Sequence, residues 1–136
     1  PVARMRALHV VDENQRVREA VVRLRDGDAA GFGRLLFESH RSSRELFENS
    51  CAELDLLVDH AAADPRGLGA RLSGGGFGGV TIHLVAMDAA EAYAGDLAAA
   101  AREGLGRAVW TTVCTVGDGA RLEDPQDPAG GGSVPV

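Results

Sequence analysis

Residues 74–79 read Gly-Gly-Gly-Phe-Gly-Gly. Gly74, Gly76 and Gly79 formally fit G-x-G-x-x-G, the spacing that cradles a pyrophosphate where a strand runs through a loop into a helix N-terminus. Here Val80-Thr81-Ile82-His83-Leu84-Val85 follows, a β-rich run, so a strand leaves the loop and the dinucleotide reading is rejected. No lysine follows either, which excludes a Walker A loop. Glycine permits positive φ and close backbone approach at an entropic cost. Two readings stay open for five glycines around one phenylalanine. One is a strained turn against which another backbone packs. The other is a loop whose bare N–H groups face an anion or a second glycine loop. Ser73 can offer its hydroxyl there, or serve as an ordinary strand serine.

Other chemistry-bearing residues read mainly as structural. Ser39 and His40 suggest a dyad, but adjacent helical positions point apart. His9 is a packing or capping histidine. His83 faces one side of a strand with nothing nearby to make it a ligand. Asp55 lies beside an apolar helical stripe. If buried it must be hydrogen-bonded, a glycine-loop amide being one partner, which makes it a support for the loop and not a general base. Trp110 reads as core.

All 14 basic residues are arginine, so Schiff-base and general-base lysines are excluded. The net charge of −6 removes the electrostatic footprint of non-specific nucleic-acid binding. Cys51 and Cys114 have neither metal nor disulfide spacing, and the opening residues show no secretory pattern, so the expected compartment is a reducing cytoplasm. No apolar run reaches the ~18 residues of a membrane span.

The elements that must position the glycine loop follow from periodicity. Residues 3–25 read as a helix closed by Gly27, and about 28–40 as a second, weakened by Gly31 and Gly33 and so dependent on packing. Ser42-Ser43-Arg44-Glu45 has capping-box spacing for a third helix. Its stripe is Phe47, Cys51, Leu54, Val58 and Ala61, and Asp64-Pro65 ends it. Residues 70–73 are extended, and 80–85 read as a central strand. Asp88 to Glu91 signals the start of an alanine-rich helix to about 103, which Gly104 and Gly106 close. Residues 109–115 form a third strand. The expected architecture is α+β: two layers, with helices on one face of a small antiparallel sheet. Residues 1–116 form the domain, and 117–136, rich in Gly, Pro and Asp, form a mobile tail.

The stretch Gly69-Ala70-Arg71-Leu72-Ser73-Gly74-Gly75-Gly76-Phe77-Gly78-Gly79-Val80-Thr81 resembles the third signature motif of the galactokinases, members of the galactokinase, homoserine kinase, mevalonate kinase and phosphomevalonate kinase (GHMP) superfamily. Further blocks agree in order: Arg6 to Val11 with Glu13 to Val17, Gly27-Asp28, Phe32 to Leu35, Glu38 to Ser42, Ser50 to Val58, and Val113-Cys114. The likeness runs from about residue 4 to 116.

The resemblance implies a GHMP kinase C-terminal, ferredoxin-like domain. Family enzymes transfer the γ-phosphoryl of Mg-ATP to a sugar hydroxyl, in galactokinase the anomeric one, in a cleft between two lobes. The implied cofactors are ATP and Mg²⁺, and the implied partners are galactose and an N-terminal kinase lobe. The family's Gly-Glu-His-x-Asp-Tyr sugar motif, its Gly-Leu-Ser-Ser-Ser-Ala phosphate loop and its catalytic aspartate are not among these residues. Gly67-Leu68-Gly69-Ala70-Arg71 is too short, and lacks the serines, to replace that loop. The resemblance makes Ser73, Gly74, Gly75, Gly76, Phe77, Gly78 and Gly79 cleft-lining and not catalytic, with Phe77 shaping the loop. Arg71 lends positive charge near phosphate or pairs an acid at the strand start. The isolated chain is expected to be inactive. The rival readings are a kinase of another sugar, a standalone module that kept the fold without catalysis, and a domain whose loop binds nothing.

Overall fold

The structure is a computed structural model and describes residues 2–117. Helix α1 spans Val2–Arg25. It ends in a Schellman arrangement, with Gly27 at φ +70° while Asp28 N–H donates to Arg23 O and Gly27 N–H to Leu24 O. Asp28 then caps α2, Ala29–Ser42, by accepting the Gly31 amide at 2.7 Å. Of the two glycines that weaken α2, Gly31 makes room for the Asp28 cap, an added Cβ falling 2.0 Å from Asp28 Oδ2, and Gly33 is explained by packing. A Cβ on Gly33 would lie 2.0 Å from Leu68 O, and one on Gly69 would lie 2.3 Å from Gly33 O. Helix and strand backbones meet there with no side chain between them.

The capping-box expectation fails. Ser42 is the last residue of α2, is helical and makes no side-chain cap bond; the chain continues into a π turn, Ser43–Phe47. The Ser42 hydroxyl is taken instead by His9 Nδ1 at 2.8 Å, and His9 packs on Phe47 with ring centroids 4.7 Å apart. Glu48, at φ +57°, turns the chain. Helix α3, Ala52–Ala63, starts behind extended Cys51, and Asp64 leaves it in an extended conformation before Pro65. Leu54, Val58 and Ala61 are its buried stripe; Phe47 lies outside the helix.

Strand β1, Gly67–Ser73, pairs antiparallel with β2, Val80–Val85, from Ser73↔Val80 to Gly67↔Val85, with a bulge between Gly67 and Gly69. Ala70 and Leu72 of β1 are buried at the two-residue period of a half-covered sheet. β2 is not a central strand, because among the described residues it pairs with β1 alone and leaves Val80 and Ile82 exposed. A 3-10 turn, Met87–Ala89, leads into α4, Ala90–Leu105. Asp88 lies within that turn and does not cap α4; the capping position is Ala89, without a side-chain bond. Gly106 at φ +66° closes α4.

The core joins Val58 and Ala61 of α3, Ala70 of β1, and Tyr93 and Leu97 of α4, with Phe37, Leu57 and Val85 packed against it. The chain is thus α+β, four helices with a two-stranded antiparallel sheet. Two expectations at the C-terminal side are corrected. Residues 109–115 pair with no strand among the described residues, and Trp110 is 87% exposed instead of core. β-branched residues become a strand only where a free sheet edge accepts their backbone groups, and this run lies on none. The expected tail falls, apart from Gly117, outside the described residues. No helix described is long and apolar enough to cross a membrane.

Candidate glycine-loop site

The loop joining β1 to β2 is left-handed over most of its length. Gly74 (+84°), Gly76 (+84°), Phe77 (+58°), Gly78 (+127°) and Gly79 (+95°) all have positive φ. For a bulky residue such as Phe77 that conformation is a genuine outlier and must be held by its surroundings. Its side chain stands out at 77% exposure. Added Cβ atoms at Gly74, Gly75, Gly78 or Gly79 would meet nothing within 4 Å, so the outer side of the loop is open to close approach. Gly76 is different: its Cβ would lie 2.0 Å from Asn49 O. The close-packing reading of the glycines therefore holds at Gly76, against the Asn49 backbone. One glycine lets another backbone pack, and the others leave the peptide bare.

The residue that grips the loop, Asn49, was not singled out in the sequence. Its carbonyl accepts the Phe77 N–H at 2.7 Å, and its Nδ2 donates to Gly75 O at 3.2 Å. Asn49 is 8% exposed, and its Oδ1 is buried without a partner among the described residues. The one signal available was its place in a polar turn, Glu48-Asn49-Ser50, ahead of a helix.

Asp55 is buried in part and hydrogen-bonded, but not to a loop amide. Its Oδ1 accepts from Ser50 Oγ at 2.6 Å and from His40 Nε2 at 3.1 Å, while Arg44 Nε lies 3.2 Å from Oδ2. His40, 3% exposed, uses its other nitrogen, Nδ1, to accept the Leu72 N–H at 3.1 Å. That fixes the neutral tautomer with the proton on Nε2. Burial lowers the His40 pKa against the upward pull of Asp55. Asp55 thus reaches the β1 backbone at one remove, through the imidazole that caps the Leu72 amide. Ser39 is not a dyad partner; it donates to Glu13 Oε2 at 2.7 Å.

Arg71 lies toward the end of β1 and not at the strand start, and it pairs an acid there: its Nε donates to Leu72 O at 2.9 Å, and its NH1 lies 3.8 Å from Glu13 Oε2. Burial pushes the Glu13 carboxyl up, but Ser39, Arg16 and Arg71 outweigh it and hold the group below its ordinary value. On the sheet's covered side, His83 pairs through Nε2 with Thr81 Oγ1 at 2.8 Å and through Nδ1 with the Tyr93 hydroxyl at 2.7 Å. Burial pushes the imidazole down to about 4 and the Tyr93 phenol up to about 12.

Two shallow depressions of about 410 and 440 Å³ lie at His60–Arg66 and between α1 and α2; neither is lined by a loop residue. Among the described residues no three His, Cys, Asp or Glu side chains gather as metal ligands.

Residues 17–103 match the family described as GHMP kinases C terminal, and the chain belongs to that family. It is 42% identical over 116 residues to a galactokinase of Roseiflexus sp. (strain RS-1), covering 85% of this chain and 30% of that protein. It is 53% identical over 85 residues to the Homo sapiens galactokinase, covering 62% of this chain and 22% of that protein. The fold is similar to that of Lactococcus lactis galactokinase complexed with galactose, at a TM-score of 0.73 and 38% identity, over 76% of this chain and 27% of that one. L. major mevalonate kinase in complex with R-mevalonate is similar at a TM-score of 0.52 and 28% identity, over 77% of this chain and 32% of that one. The chain thus spans less than a third of the length of these relatives.

Proposed function

We propose that this chain is the C-terminal part of a galactokinase-type enzyme. That enzyme moves the γ-phosphoryl group of Mg-ATP to the anomeric hydroxyl of galactose, in the cytoplasm. In this reading Ser73 and Gly74–Gly79 form one wall of the cleft, and an N-terminal lobe supplies the sugar and nucleotide grips. The observation that carries it is the open left-handed loop, on a domain whose relatives named above include several galactokinases. Exposed apolar side chains on α1 (Val10, Val11, Val17 and Val22) and on the sheet (Val80 and Ile82) support it as surface for another lobe to cover.

Phosphoryl transfer asks mainly for positioning and for stabilisation of spread negative charge. Bound Mg-ATP supplies the phosphoryl group and the metal's charge. This chain's part is to keep backbone, not side chains, against the cleft. Glycines clear the space, Asn49 fixes the loop's inner side, and Phe77 projects from its tip. Arg71 acts through Glu13 and the β1 backbone, as support. Asp55 does so through His40.

The test is to translate the reading frame in which this sequence lies. The polypeptide it encodes is then assayed with Mg-ATP and galactose for galactose 1-phosphate. The 136-residue chain alone should transfer nothing; ATP-dependent phosphorylation by it would overturn the division of labour. Transfer to a different sugar, with none to galactose, would favour the second reading, another kinase of the superfamily, to which the likeness to the mevalonate kinase also points. No transfer to any sugar tried would favour a non-catalytic module.

A further inference from the structure

We infer that Asn49 is a positioning residue for phosphoryl transfer, latching the glycine loop into its left-handed form; this rests on the kinase reading above. The latch is built from the chain upward. The π turn Ser43–Phe47 and left-handed Glu48 bring Asn49 back so that its own N–H donates to Ser43 O at 3.2 Å. That leaves its carbonyl and side chain to face a segment 26 residues further on. There one residue engages three consecutive loop residues. Its Nδ2 donates to Gly75 O, its carbonyl fills the space of the missing Gly76 side chain, and the same carbonyl accepts the Phe77 N–H.

The geometry is specific to both partners. Reversing the amide would set Oδ1 against the Gly75 carbonyl, so the donor end is fixed toward the loop while Oδ1 stays unpartnered. Any side chain at Gly76 would break the contact from the other side. The run from Gly76 to Gly79 has positive φ throughout and is anchored at its first two residues by this one asparagine. Phe77, the non-glycine within it, is the residue that most needs holding and the one whose amide is held. On the neighbouring strand, His40 secures the Leu72 amide in the same way. The strand end is thus tied down from the last turn of α2 and the loop from the segment that follows it.

Asn49→Asp keeps shape and loses the donor; Asn49→Ala loses both. Two readouts decide. The first is hydrogen exchange at the Phe77 amide in the 136-residue chain. The second is kcat of the polypeptide encoded by the whole reading frame, measured on folded enzyme well below its Tm. Loss of one buried side-chain bond should raise Phe77 exchange roughly 10-fold in both variants. Because the loop acts in the cleft, kcat should fall by a similar factor. A purely structural asparagine would lower Tm and leave kcat per folded enzyme unchanged, which would overturn the inference, as would unchanged Phe77 exchange. A parent polypeptide that phosphorylates no sugar would sink the kinase reading, and with it the catalytic half of the inference; unchanged exchange in an active enzyme would sink the latch alone.

Discussion

Lowering the pH from 7 to 4.5 protonates His83 in the unfolded chain well before it does so in the folded one. Its partners are hydroxyls, Thr81 Oγ1 and Tyr93 OH, which accept as readily as they donate, so an imidazolium would not lack acceptors. The obstacle is burial, with a smaller repulsion from His60 and His40, and together they bring the pKa from 6.5 to about 4. Between those values the unfolded chain binds more protons than the folded one, so stability rises with pH. The contribution is fully present above 6.5 and is lost as pH falls toward 4. From pH 7 to 4.5 the loss is about 2 kcal/mol. Urea unfolding of the parent and of His83→Gln, followed by far-UV circular dichroism at several pH values, isolates it. His40, also lowered, and the shifted carboxylates titrate in both proteins and cancel in the difference. The variant should lose about 2 kcal/mol less stability than the parent over that range. Equal losses in the two proteins would refute the assignment of the pH dependence to His83.

Three further outcomes are expected. Gly33→Ala, which in an isolated helix would gain about 1 kcal/mol, should instead cost about 1–3 kcal/mol in urea unfolding, because Leu68 O occupies the space; stabilisation would contradict the close approach. Gly75→Ala should leave the loop's amide resonances nearly in place, whereas Gly76→Ala should displace those of Gly75 to Gly79 and release the Phe77 N–H; matching spectra would show that Asn49 does not abut Gly76. His40→Leu strands the Leu72 amide and one side of Asp55, and should cost about 1–3 kcal/mol; a loss near zero would mean that the imidazole is dispensable to the β1 edge.

Period and turn chemistry made α1, α2, the buried stripe of α3, the hairpin and the closing Gly106 legible. Each is a local pattern whose partner is supplied by the core. Helix starts were harder. Ser42 and Glu45 carry a cap spacing, yet the hydroxyl is claimed by His9, 33 residues away, and the chain coils on. Asp88 has the right type for a cap and sits one position before the residue at the capping position, inside a 3-10 turn. Residues 109–115 have strand composition, but composition cannot supply an edge to pair with. For the loop, the glycines announced it and the resemblance suggested its use. Asn49 is marked in the sequence only by its polar turn, because its grip joins a main-chain carbonyl and a side-chain bond to a partner 26 residues away, and neither leaves a local pattern. For Asp55 the apolar stripe signals a hydrogen-bonded carboxylate, but its partners Ser50 and His40 are set by the tertiary fold and not by the loop amides the sequence suggests.

Helix α1 is the longest element and has no buried residue. What fastens it is peripheral: Arg6 to Leu46 O and Glu48, His9 to Ser42 and Phe47, Glu13 to Ser39. The core of α3, β1 and α4 does not depend on it. Opening such an element exposes little apolar area, so α1 is expected to unravel before the Val58–Tyr93 cluster. Because Arg6 holds Glu48 and the next residue is Asn49, the earliest step of that unravelling loosens the segment beside the loop while the interior is still intact.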